Sequence, residues 1–157
     1  MSDEMLARKA QLGDKDAFFV LYNRYLGKVF NRVKSKIPPQ EAEDVTQDVF
    51  IAVSRSLKGY KQEARFNTWL YTIVNRQIAD FYRDEFIRHK IRLEHQRPFV
   101  ADSKFEEIET ALDRIITEID RICESENFEA LASHLLHRFD VVTNLSESKV
   151  LPAFRVH

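Results

Sequence analysis

An all-α protein is predicted: a compact bundle of three or four helices over about residues 5–90, then a separate helical piece. Three observations support this. The 157 residues hold only three Gly and four Pro, too few turn formers for a chain of many short strands. Apolar residues recur at spacings of three and four along most of the chain, the period of one helix face. Twelve Phe supply the large rings that fill helical cores.

Composition narrows the class further. The apolar and charged fractions, 44% and 31%, are those of a globular chain. Cys123 is the only cysteine, so no internal disulfide can form, which fits a reducing compartment. No uncharged apolar run approaches the ~18 residues of a membrane span. The first residues carry Asp3, Glu4, Arg8 and Lys9 in place of the apolar stretch of a secretory signal. A cytoplasmic location is therefore expected. The net charge of -1 hides an asymmetry: residues 1–100 hold 18 Lys and Arg against 13 Asp and Glu, whereas 101–157 hold 6 against 12. A basic front half can meet phosphate, and an acidic back half is repelled by it.

The first predicted helix runs from Asp14 to Val33, where Phe18, Leu21, Tyr25, Val29 and Val33 share a face. Asp14 or Asp16 can cap it by accepting a backbone N–H bond. Pro38-Pro39 then breaks the chain, and the second proline suits the next helix's first turn. A second helix is predicted over Gln40 to Leu57, with Ala42, Val45, Val49 and Ala52 inward. Asp44, Gln47, Asp48 and Ile51 stand at i, i+3, i+4 and i+7, so they share another face. Glu41 and Glu43 add negative charge near the helix start, where the macrodipole favours it. A solvated acidic face is the plain reading. The isoleucine and amide among the carboxylates point instead to a docking surface.

Gly59 is a plausible stop, with a loop over Lys58 to Ala64. Phe66 to about Phe86 reads as helical, with Asn67 or Thr68 as cap. Leu70, Ile73 and Ile78 suit the core, with Phe81 or Tyr82 behind them. Trp69, Tyr71, Asn75, Arg76 and Arg83 do not fit one stripe, so an irregular turn is expected at Val74-Asn75-Arg76. Cations here can attract phosphate, rings can stack on unpaired bases, and an Asn can read a base edge. The alternatives are a core-edge Trp69 and ion pairs from Arg76 and Arg83 to Asp80 and Asp84. Arg88 to Lys104 reads as a linker, basic at first and interrupted by Pro98 and Ser103. Phe105 to about Cys123 is again amphipathic, with Ile108, Leu112, Ile115 or Ile116, and Ile119 inward. A short helix is expected at Phe128 to Phe139, then a loosely docked tail. No cofactor or metal is expected. His89 and His95 have no further ligand at metal spacing, and no nucleophile–base pair or phosphate-cradling Gly loop argues for an enzyme.

Ala17 to Arg88 resembles region two of the extracytoplasmic-function sigma factors, specificity subunits of bacterial RNA polymerase. Two motifs carry the likeness: Ala42-Glu43-Asp44-Val45-Thr46-Gln47-Asp48-Val49-Phe50, and Phe66-Asn67-Thr68-Trp69-Leu70-Tyr71-Thr72-Ile73-Val74-Asn75-Arg76. The resemblance implies a non-enzymatic transcription initiation factor. Asp44, Gln47, Asp48 and Ile51 would dock on the clamp coiled coil of the largest subunit of core RNA polymerase. Trp69 and Tyr71 would help part the strands of the promoter minus-ten element, and an Asn75 loop would hold a base turned out of the stack. Arg65, Arg76 and Arg83 would hold phosphates of the single strand. A second class of reading is a sigma-like interaction module that binds an anti-sigma factor without directing transcription. The implied layout is a region-two domain over 1–90, a linker over 91–104, and a truncated or altered region-four-like segment over 105–157. Ala111 to Ile122 looks like the opening helix of region four. Beyond Cys123 no basic recognition helix follows, and Cys123 to Glu129 is acidic.

Overall fold

The computed structural model describes the backbone of residues 1–125 and side chains as far as Arg121. Among these residues there are five α-helices and no strand, as predicted. The expectations for Phe128 to Phe139, for the tail and for most of the altered region-four segment lie outside the described residues. The chain divides between Ile78 and Ala79 into two units, inside the fourth helix. The expected edge was residue 90.

In the first unit, α1 (Asp3–Gln11) is an element the periodicity did not single out. Its local signals are nonetheless complete. The Ser2 hydroxyl accepts from the Met5 N–H at 3.2 Å, and acidic residues occupy the first turn and basic ones the last. Gly13, at φ +98°, closes the helix: its N–H donates to the Ala10 carbonyl, and the Asp14 N–H reaches back to Lys9. This six-to-one and five-to-two pair needs a left-handed residue, which glycine adopts without a Cβ clash.

Helix α2 spans Lys15–Lys34. Of the two expected caps, Asp14 serves: its carboxylate accepts from the Asp16 and Ala17 N–H groups at 3.0 and 3.1 Å. Leu21, Tyr25, Val29 and Val33 are buried as predicted, and Phe18 is half-buried. After Pro38, a 3-10 turn at Pro39–Glu41 leads into α3 (Ala42–Ser56). Ala42, Val45 and Val49 are buried and Ala52 half-buried. The buried Thr46 hydroxyl donates to the Ala42 carbonyl at 2.7 Å, so it carries no unmet polar group into the core. A second 3-10 turn, Leu57–Gly59, ends α3.

Contacts from α1 fasten this unit. The Gln11 side-chain amide donates to the carbonyls of Leu57 at 2.8 Å and Tyr60 at 2.6 Å. The Glu4 carboxylate accepts from the Phe66 N–H at 3.2 Å and so caps the next helix from far away in sequence. Asp3 accepts from the Tyr25 hydroxyl and pairs with Arg24. Burial, with the bond to Asp3, raises the Tyr25 phenol far above its usual range. Replacing Gln11 by Ala leaves two part-buried carbonyls without their donor. We expect a loss of about 1–2 kcal/mol, read as a lower urea midpoint at unchanged slope.

Helix α4 runs from Phe66 to Gln96. It begins one residue before Asn67, so neither Asn67 nor Thr68 is its cap. The turn expected at Val74-Asn75-Arg76 is absent. Neither Gly nor Pro interrupts the backbone there, and the buried residues Phe66, Leu70, Val74 and Ile78 step by four. Each such step advances the buried side by about 40°, so the stripe winds around the helix instead of breaking. A chain read against a fixed face then shows a false interruption. Ile73 is only half-buried for the same reason.

In the second unit, α4 buries Tyr82, Phe86, His89 and Leu93, while Phe81 is half-buried. The expected linker is largely helical. Residues up to Gln96 belong to α4, Pro98 sits in a 3-10 turn at Arg97–Phe99, and α5 (Asp102–Ser125) follows at once. His89 and Leu93 keep an inward side where the basic run suggested none. Helix α5 buries Phe105, Ile108, Leu112, Ile115 and Ile119. Of Ile115 and Ile116, the first faces inward. Arg83 pairs with Asp120 at 2.9 Å and Lys90 with Asp113 at 2.6 Å, which sets α5 antiparallel to this part of α4. The Arg97 guanidinium covers the Phe105 ring at 4.3 Å.

Candidate protein and nucleic-acid interfaces

The first candidate face is on α3. The helix turns Ala42, Val45, Val49 and Val53 into the core, which leaves Asp44, Gln47, Asp48 and Ile51 outside. At about 100° per residue these four side chains fall within an arc of roughly 100°. All are exposed. Ile51, 48% exposed, places an apolar side chain among two carboxylates and an amide. Phe50, on the rim of this face, meets the Tyr22 ring edge-on at 4.8 Å. Solvated carboxylates with an apolar centre suit a partner helix that offers cations around a nonpolar side chain.

The second candidate face is the head of α4. Arg65 and Arg76 are exposed, and Trp69, Tyr71 and Asn75 are half-buried. Trp69 lies against Tyr60, with ring centroids 4.9 Å apart and planes 30° from parallel, and against Phe66 at 5.7 Å. The Tyr60 hydroxyl in turn donates to the Ala64 carbonyl at 2.7 Å. The loop thus holds Trp69 in one attitude with part of its ring open to solvent. Helical geometry parts the remaining residues into two flanks. Arg65, Trp69 and Arg76 lie on one side; Tyr71 and Asn75 lie on the other. Asn75 sits in no loop. Its Oδ1 accepts from Arg32 of α2 at 3.2 Å.

Arg83, the remaining predicted phosphate ligand, belongs to the second unit. Its guanidinium is paired with Asp120, where the alternative reading had Asp80 or Asp84. Sequence reasoning missed the residues that support the second face: Tyr60 beneath Trp69, Glu4 at the N-terminus of α4, and Arg32 beside Asn75. Only Arg32 left a trace in the sequence, as the last of Arg24, Lys28 and Arg32 at intervals of four.

Both faces belong to the first all-α unit. Residues 21–85 match the family described as Sigma-70 region 2. Over 73 residues the chain is 37% identical to the ECF RNA polymerase sigma-E factors of Escherichia coli strain K12, Haemophilus influenzae strain Rd and Salmonella typhimurium strain LT2. That stretch is 46% of this chain and 38–39% of the relatives, so the chain spans about two-fifths of the length of the curated relatives it matches. Over this stretch the chain is similar to sigma region two and to extracytoplasmic-function sigma factors. Among the described residues, no helix is long and apolar enough to cross a membrane.

Proposed function

We propose that this protein is a transcription initiation factor that binds core RNA polymerase and holds an opened promoter strand. The α3 face of Asp44, Gln47, Asp48 and Ile51 docks on a basic coiled coil of the polymerase clamp. The head of α4 takes the minus-ten strand: Trp69 and Tyr71 stack on unpaired bases, and Arg65 and Arg76 hold phosphates. Asn75 reads a base from the body of the helix. Strand capture costs a few kcal/mol of lost stacking, which ring contacts and charge must offset. The protein makes and breaks no bond in this scheme.

The observation that supports the reading is that the side chains named from both sigma-like motifs are exposed or half-buried on the first unit. The test is transcription by core polymerase from a template with a preformed bubble. The full chain is expected to support RNA synthesis from it, and Trp69→Ala with Arg76→Ala to reduce strand affinity on the order of tenfold. A chain that binds neither polymerase nor strand removes the proposal. A second reading is an interaction module for an anti-sigma factor. It predicts tight binding to such a factor with no transcript from the bubble.

A further inference from the structure

The segment that leads from the Leu57–Gly59 turn into α4 has little packing of its own. Lys61 to Arg65 are all exposed, and only Tyr60 and Phe66 at its two ends are buried. Gln62 has φ +60°, a left-handed backbone that a residue with a Cβ keeps only where its surroundings impose it. The restraint comes from α1. Glu4 accepts from the Phe66 N–H through its carboxylate at 3.2 Å, and from the Gln62 side-chain amide through its backbone carbonyl at 3.1 Å. Gln11 donates to the Leu57 and Tyr60 carbonyls at 2.8 and 2.6 Å. Glu4 and Gln11 stand two turns apart on one side of α1, so one helix grips both ends of the segment.

The same segment carries the stacking partner of Trp69. The Tyr60 ring lies 4.9 Å from the indole, its hydroxyl donates to the Ala64 carbonyl, and Arg65 directly precedes the capped Phe66. The attitude of the indole and the aim of Arg65 therefore depend on where α1 fixes Tyr60 and the Phe66 N–H.

We infer that α1 sets the strength of strand capture without touching the strand. Glu4 and Gln11 are positioning residues that preorganise Tyr60 and, through it, Trp69 and Arg65. The inference rests on the strand-holding role proposed above and assigns its control to a helix that lies before the matched residues 21–85. A ring already fixed loses less freedom when a base arrives than a mobile one does. The sign of the effect is diagnostic for Glu4. A bystander carboxylate repels phosphate, so its removal would tighten binding; a positioning carboxylate does the reverse when removed.

Trp69 is the only tryptophan in the chain, so its emission reports the indole directly. The experiment records that emission and its quenching by iodide in the full chain, then titrates a labelled single strand at several salt concentrations. Glu4→Ala and Gln11→Met are expected to shift the emission to the red, to raise the quenching and to weaken strand binding about fivefold. For Gln11→Met the salt dependence should keep its slope, because no phosphate contact is removed, whereas Arg76→Ala flattens it. Glu4→Gln keeps an oxygen for the Phe66 N–H and should restore both spectrum and affinity. Gln62→Gly retains the left-handed backbone and loses only the bond to Glu4; the residue is exposed, so the core is untouched, and about a twofold loss of affinity is expected. Thermal melts set a temperature at which every variant is folded. A helix that merely stabilises the unit would move the melt and leave the emission of the folded chain unchanged. Wild-type emission in both Glu4→Ala and Gln11→Met overturns the inference. So does a shifted emission with wild-type affinity while Arg76→Ala remains weakened. In either case the strand-holding role stands. A wild-type chain that binds no strand removes both.

Discussion

Reversing the charge at Asp48, as Asp48→Arg, is expected to lower affinity for core RNA polymerase at least tenfold. Asp48 is exposed on the α3 face, with Asp44 one turn before it and Ile51 one turn after. The side chain contributes nothing to the core, so the fold should keep its melting temperature within about 1–2 °C. The effect is then confined to binding. A cation set against a basic partner surface loses the original attraction and adds repulsion, together about 1.5–3 kcal/mol at a close contact. Part should appear in the association rate and weaken with salt, because steering between exposed charges is screened. Gln47→Ala should cost less, since only a neutral hydrogen bond is removed. Biosensor titration of core polymerase over immobilised variants reads all three quantities. Unchanged affinity in the reversed variant would eliminate α3 as the docking element.

Acid should loosen the second unit before it touches the first. His89 is 0% exposed and packs against the Phe86 ring at 6.5 Å. Burial, with a smaller contribution from the Arg92 charge, lowers its pKa from 6.5 to about 4. The imidazole is neutral in the folded chain at pH 7, and in the unfolded chain it takes up a proton near 6.5. Between those two values the unfolded state binds more protons, so stability falls as the pH drops through that window. A displacement of this size corresponds to about 3 kcal/mol between pH 7 and pH 4. Amide hydrogen exchange is the appropriate measurement. Protection in residues 79–96 and along α5 should fall across this window, while that of α2 and α3 changes less. His89→Leu removes the titrating group and should flatten the dependence. An unchanged pH profile in that variant would assign the acid sensitivity to another group.

The extent to which the sequence anticipated this molecule follows from the range over which each feature is decided. Inward stripes on α2, α3 and α5 are properties of spacing, and Leu21, Val45 and Ile119 lie where their periods put them. The α3 face was legible for the same reason: when a stripe is known to be buried, the remainder of the helix must face outward. The length of α4 was not. From Phe66 to Phe86 its large buried residues advance by fours, and a reader who expects a fixed face sees a turn at Asn75 and a linker after Arg88. Neither is present, because a helix needs only uninterrupted backbone bonding and some inward side at each turn.

Helical class, the positions of the stripes and the outward acid-and-amide face were thus determined by the sequence alone, since each depends on residues within a turn or two. Tertiary structure decided the rest. Glu4 caps a helix 62 residues away, and Arg32 reaches Asn75 across 43. Trp69 takes its attitude from Tyr60, a residue in a loop. Such partners meet only after the chain has closed on itself, and local periodicity contains no information about which distant side chains that closure brings together.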